Sequence, residues 1–194
     1  MFNIDSFQNI FLWGAIIPLI LSNILHMLVV KKNYLNFLNF PIHEKWFGEN
    51  KTYRGFLIVP LLNGLLFMIL NWPGGLLRST STQNFSIQNS LLNLDSIYVL
   101  FLIGFIFGIF YVSFELPNSL IKRSLGIKAG ESSKRGQLFF KALDKTDSAF
   151  GLSLFFGYLN NFNLQLMLTF FVIAVFLHVI LSLLLVALKI KKKF

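Results

Sequence analysis

Three short stretches of this sequence hold the residues whose types and spacing suit chemistry. In the first, Lys51-Thr52-Tyr53-Arg54-Gly55 opens an apolar run. Thr52 is placed to cap a helix. Lys51, Arg54 and the free amides of that helix N-terminus would converge on one anion, and phosphate suits such a site. In the second, Glu115 ends an apolar run, and Ser119, Lys122 and Arg123 share a face at i, i+3 and i+4 if helix resumes after Pro117. In the third, Asp144 and Asp147 stand at i, i+3 just before another apolar run. Together with Glu115 they offer three carboxylates near one interface. Mg²⁺ is held by one or two carboxylates plus substrate phosphates, and paired ions clamp the entering and leaving oxygens of an in-line phosphoryl displacement. Each stretch also has an ordinary reading. Lys51 and Arg54 would snorkel and stop a helix, Asp147 would cap one, Asp144 would pair with Lys141 or Lys145, and Glu115 would simply end a helix.

Other chemistries are missing from the pattern. The chain has no cysteine, so disulfides, thiolate metal sites and cysteine nucleophiles are excluded. His26, His43 and His178 are dispersed, without the H-E-x-x-H spacing of zinc enzymes; His178 suits an interhelical hydrogen bond. G-x-S-x-G, Walker A and G-x-G-x-x-G motifs are all absent.

The elements that must position these residues are membrane helices. Of 194 residues, 55% are hydrophobic and 13% charged, and 24 are Phe; mean hydropathy is +0.68. Soluble domains carry roughly 25% charged residues, so the fold class is all-α and polytopic: a single membrane domain, 1–194. Apolar runs at 10–30, 55–72, 97–116 and 164–188 are long enough to span, and 148–159 reads as a short fourth span in a set of about five. Cytoplasmic loops accumulate Lys and Arg. Five spans with the N-terminus outside leave 16 of the 17 basic residues inside, with only Arg78 outside. The cytoplasmic loops are then 31–54 and 117–147, and they carry all three stretches on the cytoplasmic side of the cell membrane. The net charge of +9 serves orientation and anionic lipid. Its division among membrane-proximal loops argues against a nucleic-acid partner.

Taken together, the motifs resemble a known family. Pro41-Ile42, Phe47-Gly48 and Lys51-Thr52-Tyr53-Arg54-Gly55 resemble the P-I-D…F-G…K-T-W-R-G motif of CDP-archaeol synthases. Ser119, Ile121-Lys122-Arg123 and Leu125-Gly126-Ile127 resemble its S-F-I-K-R-R-L-G-I, and Asp144, Asp147 and Gly151 its D-Q-L-D-F-x-x-G. Pro18 and Asn23 fit its polar first helix. Bacterial phosphatidate cytidylyltransferases are similar at greater distance. The resemblance implies an integral membrane enzyme that uses CTP and Mg²⁺ to convert a membrane lipid phosphate into a CDP-activated lipid, releasing pyrophosphate. On that basis Lys51, Thr52 and Arg54 would bind triphosphate or lipid phosphate, and Glu115, Asp144 and Asp147 would hold metal. Lys122 and Arg123 would neutralise phosphates, with Ser119 as a nearby polar ligand. The chain departs from the pattern at Phe114-Glu115 (Gly-Asp in the family), Asn118 (Lys), His43 (Asp) and Tyr53 (Trp). Two other readings are a related enzyme on another lipid alcohol or nucleotide, and a non-enzymatic small transporter or lipid-binding protein. A transporter would carry its ionisable groups near the bilayer midplane in repeated broken helices, and no repeat is visible.

Overall fold

A computed structural model of the protein describes residues 6–72, 97–129, 131 and 137–188. The polar connector from 73 to 95, with Arg78, and the lysines of the C-terminal tail lie outside the described residues. Six helices follow in order: α1 (Ser6–Lys31), α2 (Glu44–Phe47), α3 (Tyr53–Asn71), α4 (Ile97–Ser124), α5 (Gln137–Leu159) and α6 (Leu164–Ala187). Among the described residues four helices are long and apolar enough to cross a membrane, over 12–31, 53–71, 97–124 and 164–187. This is a membrane protein built of helices.

The expected short span at 148–159 is the second half of α5, a helix of 23 residues. Lys141, Asp144, Lys145 and Asp147 in its first half keep α5 out of the set of apolar spans. Much of the segment expected as the second loop, 117–147, is therefore helix: α4 runs on to Ser124 and α5 begins at Gln137. Pro117 sits inside α4. It has no N–H to offer the carbonyl of Ser113, and the helix continues because the side chains beyond it are held by α5, as described below.

Neighbouring helices run antiparallel, which the paired positions show. On α3 and α4, Pro60 meets Gly108 and Phe67 meets Gly104. A Cβ on Gly104 would stand 2.3 Å from the Phe67 Cβ, and one on Gly108 would stand 2.4 Å from the Pro60 Cα. Small residues let two backbones approach this closely, and Asn63 Nδ2 uses the approach to donate to the Gly104 carbonyl at 2.6 Å. Phe114 of α4 covers Gly151 of α5, and Gly157 of α5 sits under Met167 of α6. Gly14 of α1 faces Asn71 of α3, whose Nδ2 donates to the Gly14 carbonyl at 3.1 Å. The core between them is aromatic: Phe107 stacks against Phe67 and Phe170 and meets Phe155 edge-on. Facing outward, Leu57, Leu61, Leu65 and Ile69 form an exposed stripe on α3, and Leu168, Val172 and Phe176 one on α6. Such stripes belong against lipid tails.

Candidate functional site

The candidate residues meet at one end of the bundle, and α4 orders them along its axis. Deepest is Glu115, in an ion pair with Lys51. Lys51 precedes the cap residue Thr52, whose extended backbone and Oγ1, accepting from the Gly55 N–H at 3.4 Å, start α3. Burial disfavours the Lys51 ammonium. The Glu115 carboxylate outweighs that penalty, with Asp147 and Asp144 adding to it, and holds Lys51 above the ordinary lysine range.

One turn further along α4, Asn118 is buried between two aspartates of α5. Its Nδ2 donates to Asp144 Oδ1 at 2.6 Å and to Asp147 Oδ2 at 2.8 Å. Asp144 and Asp147 lie in the interior of α5, so Asp147 is not the cap expected of it; its Oδ1 accepts from the Ser148 N–H at 2.6 Å. Burial first, and the Glu115 charge second, push the Asp147 carboxyl up to about 6.

At the outer level Lys122 forms an ion pair with Asp144. Asp144 thus takes a partner from α4. Arg123 donates through Nη1 to the Ile127 carbonyl, and its guanidinium lies against Gly48, where an added Cβ would stand 2.9 Å from Nε. Gly48 also has φ of +83°, a conformation that β-carbons disfavour. Two constraints therefore select glycine there. Gly48 belongs to a loop closed by the backbone pairs Ile42 N–H to Lys51 O, 2.8 Å, and Tyr53 N–H to Phe40 O, 3.1 Å. Within it His43 caps α2, its Nδ1 accepting from the Trp46 N–H at 3.2 Å.

Lys51 and Arg54 do not converge on one anion. Lys51 turns to Glu115, while Arg54, only 5% exposed, turns the other way and donates Nη1 to the Tyr34 carbonyl at 3.2 Å. Arg54 Nε and Arg123 Nε are both buried without a hydrogen-bond partner. Among the described residues both lysines of the site are in ion pairs and both arginines are outside them. Ser119, expected to face phosphate, donates its hydroxyl to the Glu115 carbonyl at 3.1 Å and so serves its own helix.

Glu115, Asp144 and Asp147 do not gather into a three-carboxylate set. Among the described residues no three His, Asp or Glu side chains are grouped to hold a metal ion. Asp144 and Asp147 do converge, and they converge on Asn118. Its Oδ1 is buried and unpartnered. Amide oxygen and nitrogen are assigned by their hydrogen bonds and exchange places on a flip. With the amide turned over, three oxygens would face one point, which suits a hard cation with phosphate oxygens completing its shell. In that orientation Asp144, Asp147 and Asn118 would be the residues to hold Mg²⁺. The sequence marked Asn118 only as a departure from a motif; the available signal was a lone amide three residues after Glu115 and four before Lys122.

Two further features escaped the sequence reading. His26 of α1 packs against Gly55, its Nε2 3.4 Å from where a Cβ would stand, and that nitrogen is buried without a partner. A cavity of about 120 Å³ lies between α1, α4, α5 and α6. Its wall is apolar apart from Asn23, Tyr111, Ser148, His178 and Ser182. It adjoins the carboxylates through Ser148, next to Asp147, and through Tyr111, whose hydroxyl reaches Glu115 and Asn23. Comparison with protein-family models, with curated proteins and with solved structures finds no match to this chain.

Proposed function

We propose that the protein is a CTP-dependent cytidylyltransferase that converts a membrane lipid phosphate, of the archaeol-phosphate or phosphatidate type, into its CDP-activated lipid. The observation that carries this reading is the pairing of two arginines, each with a buried Nε that lacks a hydrogen-bond partner, with two aspartates that share one amide, at the same end of a membrane bundle. Buried guanidinium N–H groups without partners are costly, and two oxygens of a phosphate match the planar guanidinium fork. The motif resemblance to CDP-archaeol synthases points the same way.

In the reaction a nonbridging oxygen of the lipid phosphate attacks the α-phosphorus of CTP. The new P–O bond forms as the α–β bridging P–O bond breaks, and pyrophosphate leaves with that electron pair; nothing is oxidised or reduced. Arg54 and Arg123 hold phosphate oxygens and orient the reactants, which is the larger part of catalysis in such displacements. Lys51 and Lys122 hold Glu115 and Asp144 in place, and Thr52 fixes where α3 starts. Asp144, Asp147 and Asn118 would bind Mg²⁺, which when bound supplies positive charge to the developing pyrophosphate. The basic bias of the inner segments supports a site on the cytoplasmic face, where CTP is dissolved.

Purified protein incubated with labelled CTP, Mg²⁺ and a panel of lipid phosphates in mixed micelles tests the reading. The expected result is a CDP-lipid identified by mass with equimolar pyrophosphate. Absence of product with every lipid phosphate overturns it.

A further inference from the structure

We infer that the site holds its two phosphate-bearing substrates at two depths: His26 with Arg54 takes the phosphomonoester of the lipid, and Arg123 over Gly48 takes the distal phosphates of the nucleotide. This rests on the cytidylyltransferase reading and assigns within it. His26 belongs to a membrane-spanning segment, 12–31, and lies five residues short of the end of α1, about 7.5 Å along the axis. It touches Gly55 in the first turn of α3, the same turn that holds Arg54. Arg54 is 5% exposed, and both its Nε and His26 Nε2 are buried and unpartnered. Two nitrogens in need of a partner, beside a helix N-terminus and within the span, match an anion tethered to the bilayer.

Arg123 lies elsewhere. It is eight residues beyond Glu115 on α4, about 12 Å outward, and it packs on the loop glycine Gly48 and near Ala129. Its unpartnered Nε lies under the Gly48 loop, 2.9 Å from where a Cβ on that glycine would stand, at the outer end of α4. The Asp144–Asn118–Asp147 cluster stands between the two levels. A lipid phosphate at the inner level and a triphosphate reaching to the outer level would meet there, with the α-phosphorus in between.

Steady-state kinetics on the full-length protein in mixed micelles, with CTP and the lipid phosphate varied in turn, tests the assignment. His26→Leu and Arg54→Lys are expected to raise KM for the lipid phosphate by about tenfold or more, the loss of a charge-assisted hydrogen bond, while KM for CTP stays within about twofold of wild type. His26→Gln, which keeps a nitrogen donor, should recover most of the loss. Arg123→Lys should do the converse. A rise in KM for CTP in the His26 and Arg54 variants, or no effect of any His26 variant, overturns the assignment while leaving the cytidylyltransferase reading standing. A wild-type protein without turnover overturns both. Arg54→Lys keeps the test decisive should His26→Leu fail to fold.

Discussion

Lys51 and Lys122 each end on a carboxylate, whereas Arg54 and Arg123 end on backbone carbonyls with one nitrogen left over. The division follows from chemistry: an ammonium is a compact charge that neutralises a carboxylate well, and a guanidinium spreads several donors over a plane that one carbonyl cannot satisfy. The types and order of these residues were legible from the sequence, and so was the Thr52 cap, because capping depends on neighbours three residues away. The directions were not. Whether Lys51 turns toward Arg54 or toward Glu115 depends on where α4 stands, and the role of Asn118 depends on α5. Asp147 gives a prediction at this scale. Its ordinary value of 3.8 rises to about 6 in the fold, so ionising it costs folded stability. The cost is absent below the unfolded value, grows between about pH 4 and 6, and is complete above that window. Asp147→Asn keeps an oxygen for the Asn118 amide and removes the charge. In EDTA at pH 7.5 it should be more stable than wild type by on the order of 1–2 kcal/mol, with the gap closing at pH 4, and it should be inactive. Thermal unfolding in detergent at the two pH values measures this; a less stable variant at pH 7.5 would contradict the burial of a charged Asp147.

Among the elements, α1, α3, α4 and α6 were legible as long apolar runs, because a membrane helix has only to be apolar for about 20 residues. The start of α5 was not. Its first half looks like a polar loop because its charges are meant for α4: Asp144 and Asp147 answer Asn118 and Lys122 instead of water. The same pairing carries α4 past Pro117, which read as a break. The seam between α3 and α4 was invisible for a related reason, since glycines at 104 and 108 declare small size and not which helix they receive. That seam sets the height of Arg54 relative to Glu115, so disturbing it reaches the site. Gly108→Val would place a Cβ 2.4 Å from the Pro60 Cα, against backbone that cannot turn aside. The variant should lose about 1–3 kcal/mol or more, read as a lowered unfolding midpoint, and activity should fall although no site residue has changed. A midpoint equal to wild type would mean that the two helices are not in contact at this level.

For the whole molecule, antiparallel contacts run from α1 to α3, α4, α5 and α6, and the α5–α6 connection is a tight turn at 160–163 with Asn161 and Phe162 in the left-handed region. Among the described residues four helices are apolar enough to be recognised as spans, and a fifth crossing, which the sequence reading expects, would have to be made by α5. The second half of α5 is short of apolar length but is largely covered by α4 and α6: Ser148, Ala149, Leu152, Phe155 and Phe156 are all buried. A segment shielded by protein needs less hydrophobic surface than one facing lipid. If it crosses, the α5–α6 turn and the α4–α5 connection lie on opposite sides of the membrane, and the charge rule would put the α4–α5 connection inside. The chain has no cysteine, so single substitutions report without background. In intact cells, Lys128→Cys should be shielded from an impermeant thiol reagent and Asn161→Cys should be labelled. Permeabilisation should expose both. Equal shielding of the two would place the turn on the same side as the site, turn α5 into a re-entrant element, and put the C-terminal lysines outside against the charge rule.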